Sequence, residues 1–177
     1  GLTPAPKADD RTLIRRLHYD LTGLPPTYYE ANEKLDLTAK IDQLLASPHY
    51  GERWGRHWLD VARYSDVKGY EAGGRERRFV YSFTYRDWVI QALNQDLPFD
   101  EFIRYQLAAE QLTNEKTKRH LAAMGFLTLA RAGARHLVLD DQIDTTFRGF
   151  MGLTASCARC HDHKFDPIPT RDYYSIY

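Results

Sequence analysis

Five consecutive residues, Cys157-Ala158-Arg159-Cys160-His161, carry the most legible chemistry in this chain. A C-x-x-C-H run is the attachment pattern of a c-type haem. Two intervening residues make one tight turn, which sets both sulfurs along one edge of the macrocycle to form thioethers with its vinyl groups. The adjoining imidazole then falls under the iron as the proximal ligand. The chain has only these two cysteines, so cysteine abundance does not explain the pattern and no other thiol is present for a disulfide framework. Two other readings stay open. Zinc would take Cys157, Cys160 and His161 or His163, with a distant His or Asp as fourth ligand. A redox or structural disulfide would join the two thiols, although a thioredoxin-like site wants a βαβ context that the flanks do not offer.

With iron bound, the sixth position sets the function. A strong second ligand gives an electron-transferring centre; an open position lets peroxide, oxygen or a small ligand bind. Met124 lies in an apolar helical pattern and reads as core. Met151 is too near Cys157 in sequence to reach the opposite haem face. Among the histidines, His57 is the expected distal ligand, because it sits on a core-facing, Trp-flanked helix; His49 is the next choice. His163 follows the proximal ligand too closely to reach around and suits a propionate, or zinc in the alternative reading. His18 reads as a boundary residue, and His120 and His136 as exposed. Asp162 and Asp166 flank Lys164 and read first as local ion pairs; the alternative is that they orient His161 or His163 as carboxylate acceptors. Arg159 points to a propionate or to solvent.

The elements that must position these groups all read as helices. Asp9 or Asp10 caps a helix through Leu21, with Leu13, Ile14, Leu17 and Leu21 on one face, stopped by Gly23 and Pro25-Pro26. Thr27 and Glu30 have capping-box spacing. Thr38 caps a third helix. Ser47-Pro48 opens a fourth, about 49–64, whose Trp54, Trp58 and Val61 are expected to face the core. Gly51 and Gly55 within it call for the close approach of another helix or a flat ligand. Residues 65–82 show no periodicity, and their Gly-rich, basic run 69–78 reads as a surface loop. Further helices follow from Thr84, Pro98 and Asn114, the last broken by Gly133. Residues 135–139 read as a connection, Asp140 or Asp141 as the cap of the next helix, and Thr170 as the cap of the final one. The expected fold is all-α: a linker over 1–8 and a single irregular multi-helix domain over 9–177.

Composition agrees with a globular domain: 43% hydrophobic and 27% charged residues are ordinary values. Lys plus Arg and Asp plus Glu both number 24, which argues against a nucleic-acid surface. No apolar run is long enough to span a bilayer, and the Pro-rich lead-in is not a signal peptide. The piece reads as excised from a longer chain. It has no Gly-rich phosphate loop and no nucleophile elbow.

Several segments together resemble a known family: LTGLPPT at 21–27, SPHYGERWGRHWLDVARY at 47–64, YRDWV at 85–89, GLT at 152–154 and CARCHDHKFDPI at 157–168. The chain is similar to a cytochrome-like domain of unknown function, of the second type, abundant in planctomycete bacteria. The resemblance covers nearly the whole chain. It implies haem, and a place within a longer secreted or envelope protein. Taken with the motif, it gives the expectation of an electron-transfer module with one haem c, exported to the periplasm or cell envelope. Its partner would be a redox protein or other domains of the parent chain. The alternatives are a five-coordinate haem peroxidase or ligand sensor, and a haem-free interaction module stabilised by zinc or a disulfide.

Overall fold

The computed structural model describes residues 3–70, 76–78, 80–129 and 134–177. Its helices are α1 (Asp10–Leu21), α2 (Leu37–Leu45), α3 (Pro48–Val61), α4 (Ser82–Asn94), α5 (Phe99–Leu112), α6 (Gly125–Thr128), α7 (Arg135–Thr146) and α8 (Thr170–Ile176). Short 3-10 turns stand at Glu30–Asn32, Lys118–Met124 and Ser156–Arg159, and a π-helical turn at Phe147–Met151 continues α7. The described residues are helical, as the all-α expectation has it, and the one departure is local. An antiparallel ribbon, β1 (Val67–Tyr70) with β2 (Glu76–Arg78), stands where a loop was expected. Strands this short leave too few residues for a period of two to show. Residues 71–75 of the Gly-rich run, and Gly133, lie outside the described residues. Among the described residues no helix is long and apolar enough to cross a membrane.

The described residues form two compact units. The first comprises residues up to His57 together with Ile90–Leu97. Here α1 starts where Asp9 accepts the Thr12 amide at 2.7 Å, and Gly23, at φ +72°, ends it. Its buried stripe is Ile14, His18 and Thr22, spaced four apart, so His18 is a core residue and not the boundary residue expected. The capping box forms: the Thr27 amide donates to Glu30 Oε2 at 2.8 Å and the Glu30 amide to Thr27 Oγ1 at 3.3 Å. Asp36, not Thr38, caps α2, accepting from the Ala39 amide. Gly51 of α3 lies against the end of α4, where an added Cβ would overlap the Ile90 carbonyl oxygen and the Asn94 side chain. Asn94 uses that closeness to cap α3: Oδ1 accepts the Gly51 amide at 2.7 Å and Nδ2 donates to the Pro48 carbonyl at 3.0 Å.

The second unit comprises Trp58–Val89 and Pro98–Tyr177. Its centre is aromatic. Trp58 packs on Phe102, Phe126 and Phe150 with centroids 5.0–6.0 Å apart, and Trp88 stacks on Phe102 at 5.1 Å. One buried polar group, Gln106, serves this core: its Oε1 accepts from Trp58 Nε1 at 2.9 Å and from the Tyr85 hydroxyl at 2.6 Å. Tyr and Trp carry polar tips that must be satisfied when buried, and an amide on the facing helix does this. Burial pushes the Tyr85 hydroxyl pKa well above its ordinary value. A smaller cluster, Ile143, Ala155, Ala158, Ile168 and Tyr173, with Phe147 and Leu153 against it, lies under the cysteine motif. Helix α7 begins at Arg135 and not at Asp140 or Asp141. Three of its aspartates (140, 141 and 144) therefore stand within the helix, where they reach other elements.

Candidate haem-attachment site

The cysteine motif is folded onto the small core by its one apolar residue. Ala158, 0% exposed, packs inward with Ala155. The 3-10 turn over Ser156–Arg159 then directs Cys157 and Cys160 outward, and both are free and exposed. The turn closes through the Cys160 and His161 amides, which donate to the Cys157 carbonyl at 3.3 and 3.4 Å. Arg159, expected at a propionate or in solvent, is half-buried and carries an ion pair. Its Nη1 donates to Asp140 Oδ2 at 3.0 Å, and Asp140 Oδ1 accepts the hydroxyl of Tyr173 at 2.5 Å. Burial and the Asp140 carboxylate both hold the Tyr173 hydroxyl protonated far above its usual range. The Tyr174 hydroxyl donates to the Arg159 carbonyl at 3.0 Å, and Ser156 donates to Asp144 at 2.6 Å. Helices α7 and α8 thus hold the turn from two directions. Nothing in the local sequence marks Asp140, Tyr173 or Tyr174 for this task, because their partners lie 15 to 33 positions away.

His161 is exposed, and its Nδ1 lies 2.8 Å from the Asp162 carbonyl oxygen. A carbonyl only accepts, so Nδ1 is the donor, and in the neutral ring the lone pair is then on Nε2. The acceptor is the main chain of Asp162; its carboxylate neither orients a histidine nor pairs with Lys164 but accepts the Thr170 amide at 2.8 Å and so starts α8. Thr170 is the first helical residue and not the cap, a position held by Pro169. His163 differs from His161 in every respect. Its side chain is 7% exposed, and Nδ1 accepts the Asp166 amide at 2.8 Å and the Phe165 amide at 3.3 Å. Those amide donors make Nδ1 an acceptor, so the Asp166 carboxylate 3.3 Å away is not its ion-pair partner. His163 is therefore a staple of the loop 163–168.

The other expected residues fall elsewhere. His57 was expected on a core-facing surface; it is exposed, as are Trp54 at 42% and Val61 at 45%. Of the apolar stripe only Trp58 packs inward. Helix α3 stops at Val61 because Arg63 takes a left-handed conformation, φ +57°. The His57 ring lies 5.5 Å from that of Trp54, and no hydrogen bond to it is found among the described residues. His49 pairs with Glu52 at 2.7 Å. Met124 is half-buried in the wall of a cleft of about 420 Å³ with Tyr81, Tyr85, Leu121 and Leu129. His136 is exposed as expected, but His120 is not: it is 7% exposed, accepts from Trp88 Nε1 at 3.1 Å and stacks on Tyr105 at 4.1 Å. Burial depresses the pKa of both His120 and His18. Among the described residues no three His, Cys, Asp or Glu side chains converge as metal ligands do.

Over residues 1–177 the chain matches the family described as PSCyt2, protein of unknown function (DUF1549). The chain belongs to this family. No curated protein and no solved structure matches it.

Proposed function

We propose that this member of the family is a c-type cytochrome module: Cys157 and Cys160 hold one haem by thioether bonds and His161 ligates its iron. One observation carries the reading. Two outward thiols on a single turn stand beside an imidazole whose Nδ1 is tied to the Asp162 carbonyl, leaving Nε2 to a metal. That donor set fits a haem, which needs one protein nitrogen and two thiols along an edge. It fits zinc less well, because tetrahedral zinc needs four converging ligands. When bound, the haem supplies a one-electron couple. The chain's own work is to seat the turn on Ala158, to brace Arg159 between Asp140 and Tyr174, and to hold His161 in one tautomer.

His57, from its place beside Trp54 and Trp58 in the sequence, would supply a second iron ligand. With two strong ligands the module transfers electrons to a redox partner or to other domains of its parent chain. Covalent haem attachment takes place outside the cytoplasmic membrane, so the reading carries an envelope location with it.

The test is a visible spectrum of protein produced with a haem-attachment system, oxidised and then reduced. A sharp reduced α band retained after acid–acetone extraction is the expected result, and His57→Ala converts it to high spin. A high-spin spectrum in the unaltered protein would move the function to a ligand-binding or peroxidase haem. Absence of a Soret band would overturn the haem reading.

A further inference from the structure

The bond from His161 to the Asp162 carbonyl is held by a single peptide plane. Asp162 C=O and His163 N–H belong to the same planar trans unit, so the two groups point in opposite directions. The His163 N–H donates to the Ile168 carbonyl at 3.0 Å. With that end fixed, the carbonyl end is aimed at His161 Nδ1, 2.8 Å away. A second anchor acts at the residue's side chain, where Asp162 Oδ1 accepts the Thr170 amide at 2.8 Å. The loop between the anchors is closed by the Ile168 amide on the Asp166 carbonyl, also at 2.8 Å, and by the His163 staple. Ile168 is itself buried in the small core.

We infer that Asp162 is a positioning residue. Its carboxylate, by holding the start of α8, sets the orientation of its own carbonyl and thereby presents His161 as an Nδ1-protonated imidazole with Nε2 open. The inference rests on His161 being the axial ligand for its purpose, but not for its observation. A hydrogen bond of this kind fixes ring orientation and raises ligand basicity. The tail of the motif is thereby accounted for. The residue after His161 contributes a carbonyl to that ring and a carboxylate to a helix that starts eight residues on. A free imidazole in water favours the opposite tautomer, with the proton on Nε2, so the inferred effect is directly readable.

The test is nitrogen-15 NMR of the histidine side chains in the full chain, made without haem-attachment machinery, at mildly alkaline pH. His161 is expected predominantly as the Nδ1–H form. Thr170→Pro removes the amide donor to Asp162 and leaves Asp162 itself unaltered. Proline suits a first helical position, and residue 169 is already extended, at ψ 157°, as a residue before proline must be. In Thr170→Pro and Asp162→Ala the tautomer ratio is expected to move roughly 2- to 10-fold towards Nε2–H, the range set by one neutral hydrogen bond. Asp162→Asn keeps an acceptor oxygen and is expected to stay near the unaltered ratio. An Nε2–H form in the unaltered protein, or an unchanged ratio in both Thr170→Pro and Asp162→Ala, overturns the inference. The measurement needs no haem, so it is decided separately from the spectrum that tests the cytochrome reading.

Discussion

Replacing His163 by alanine tests whether the second histidine of the motif is a structural staple. Two backbone amides donate to its Nδ1, at 2.8 and 3.3 Å, and its side chain is 7% exposed. Each hydrogen bond contributes about 1 kcal/mol net, and an amide left unpaired adds a desolvation cost of similar size. Removing most of a buried ring adds a cavity term, since the surroundings collapse only in part. Together these give a destabilisation of about 3 kcal/mol, or a fall in melting temperature of roughly 6–12 °C for a chain of this length. His163→Asn is the informative partner. An asparagine Oδ1 occupies nearly the place of the imidazole Nδ1 and accepts the same amides, so it should recover about half of the loss. The assay is urea unfolding of each variant, comparing midpoints at constant slope. An alanine variant within about 0.5 kcal/mol of the unaltered protein would refute the staple. So would an asparagine variant no more stable than alanine, because the effect would then be volume alone.

Two further outcomes follow from the packing. Gly51→Ala forces a methyl into the Ile90 carbonyl and the Asn94 cap and should cost about 1–3 kcal/mol in the same urea assay, whereas an exposed helical glycine would gain from the change. Stability should also fall as pH drops below 6.5, the ordinary histidine value, because His18 and His120 both have folded pKa values held below it by burial. His18 faces Glu30, Glu33 and Lys40, and His120 faces Trp88, Tyr105, Arg119 and Glu101. Each is neutral in the folded protein over a range where the unfolded chain takes up a proton. Their contribution is therefore complete above pH 6.5 and is lost as pH falls through the folded pKa values, with a slope of at most about 1.4 kcal/mol per pH unit for each group. Urea midpoints that stay constant or rise between pH 7 and pH 5 would contradict this.

Local grammar made much of the helical frame legible. The start of α1 at Asp9, its end before Gly23, the Thr27–Glu30 box and the opening of α3 at Pro48 all depend on residues within four positions of one another. Buried Trp88, Val89 and Ala92 follow in the same way from helical spacing. Where two capping residues stand close together, as Asp36 and Thr38 do, spacing does not choose between them, since either side chain can accept an amide two or three residues on. Polar side chains were harder to place. His120 and Gln106 look like surface residues by type, yet each is buried because an indole N–H on another element needed an acceptor. Trp54 looks like core by type, yet stays 42% exposed.

By itself the sequence determined the helical character of the chain, most helix boundaries and the one turn that brings two thiols and an imidazole together, because each depends on contacts within a few residues. The tertiary structure alone decided what surrounds that turn. It aimed Ala158 inward and the thiols outward, paired Arg159 with Asp140, and separated an exposed His161 that donates from Nδ1 from a His163 whose Nδ1 accepts two amides. Such outcomes depend on elements distant in sequence meeting in space. No periodicity records them, because burial and hydrogen-bond partners belong to pairs of elements and not to either one alone.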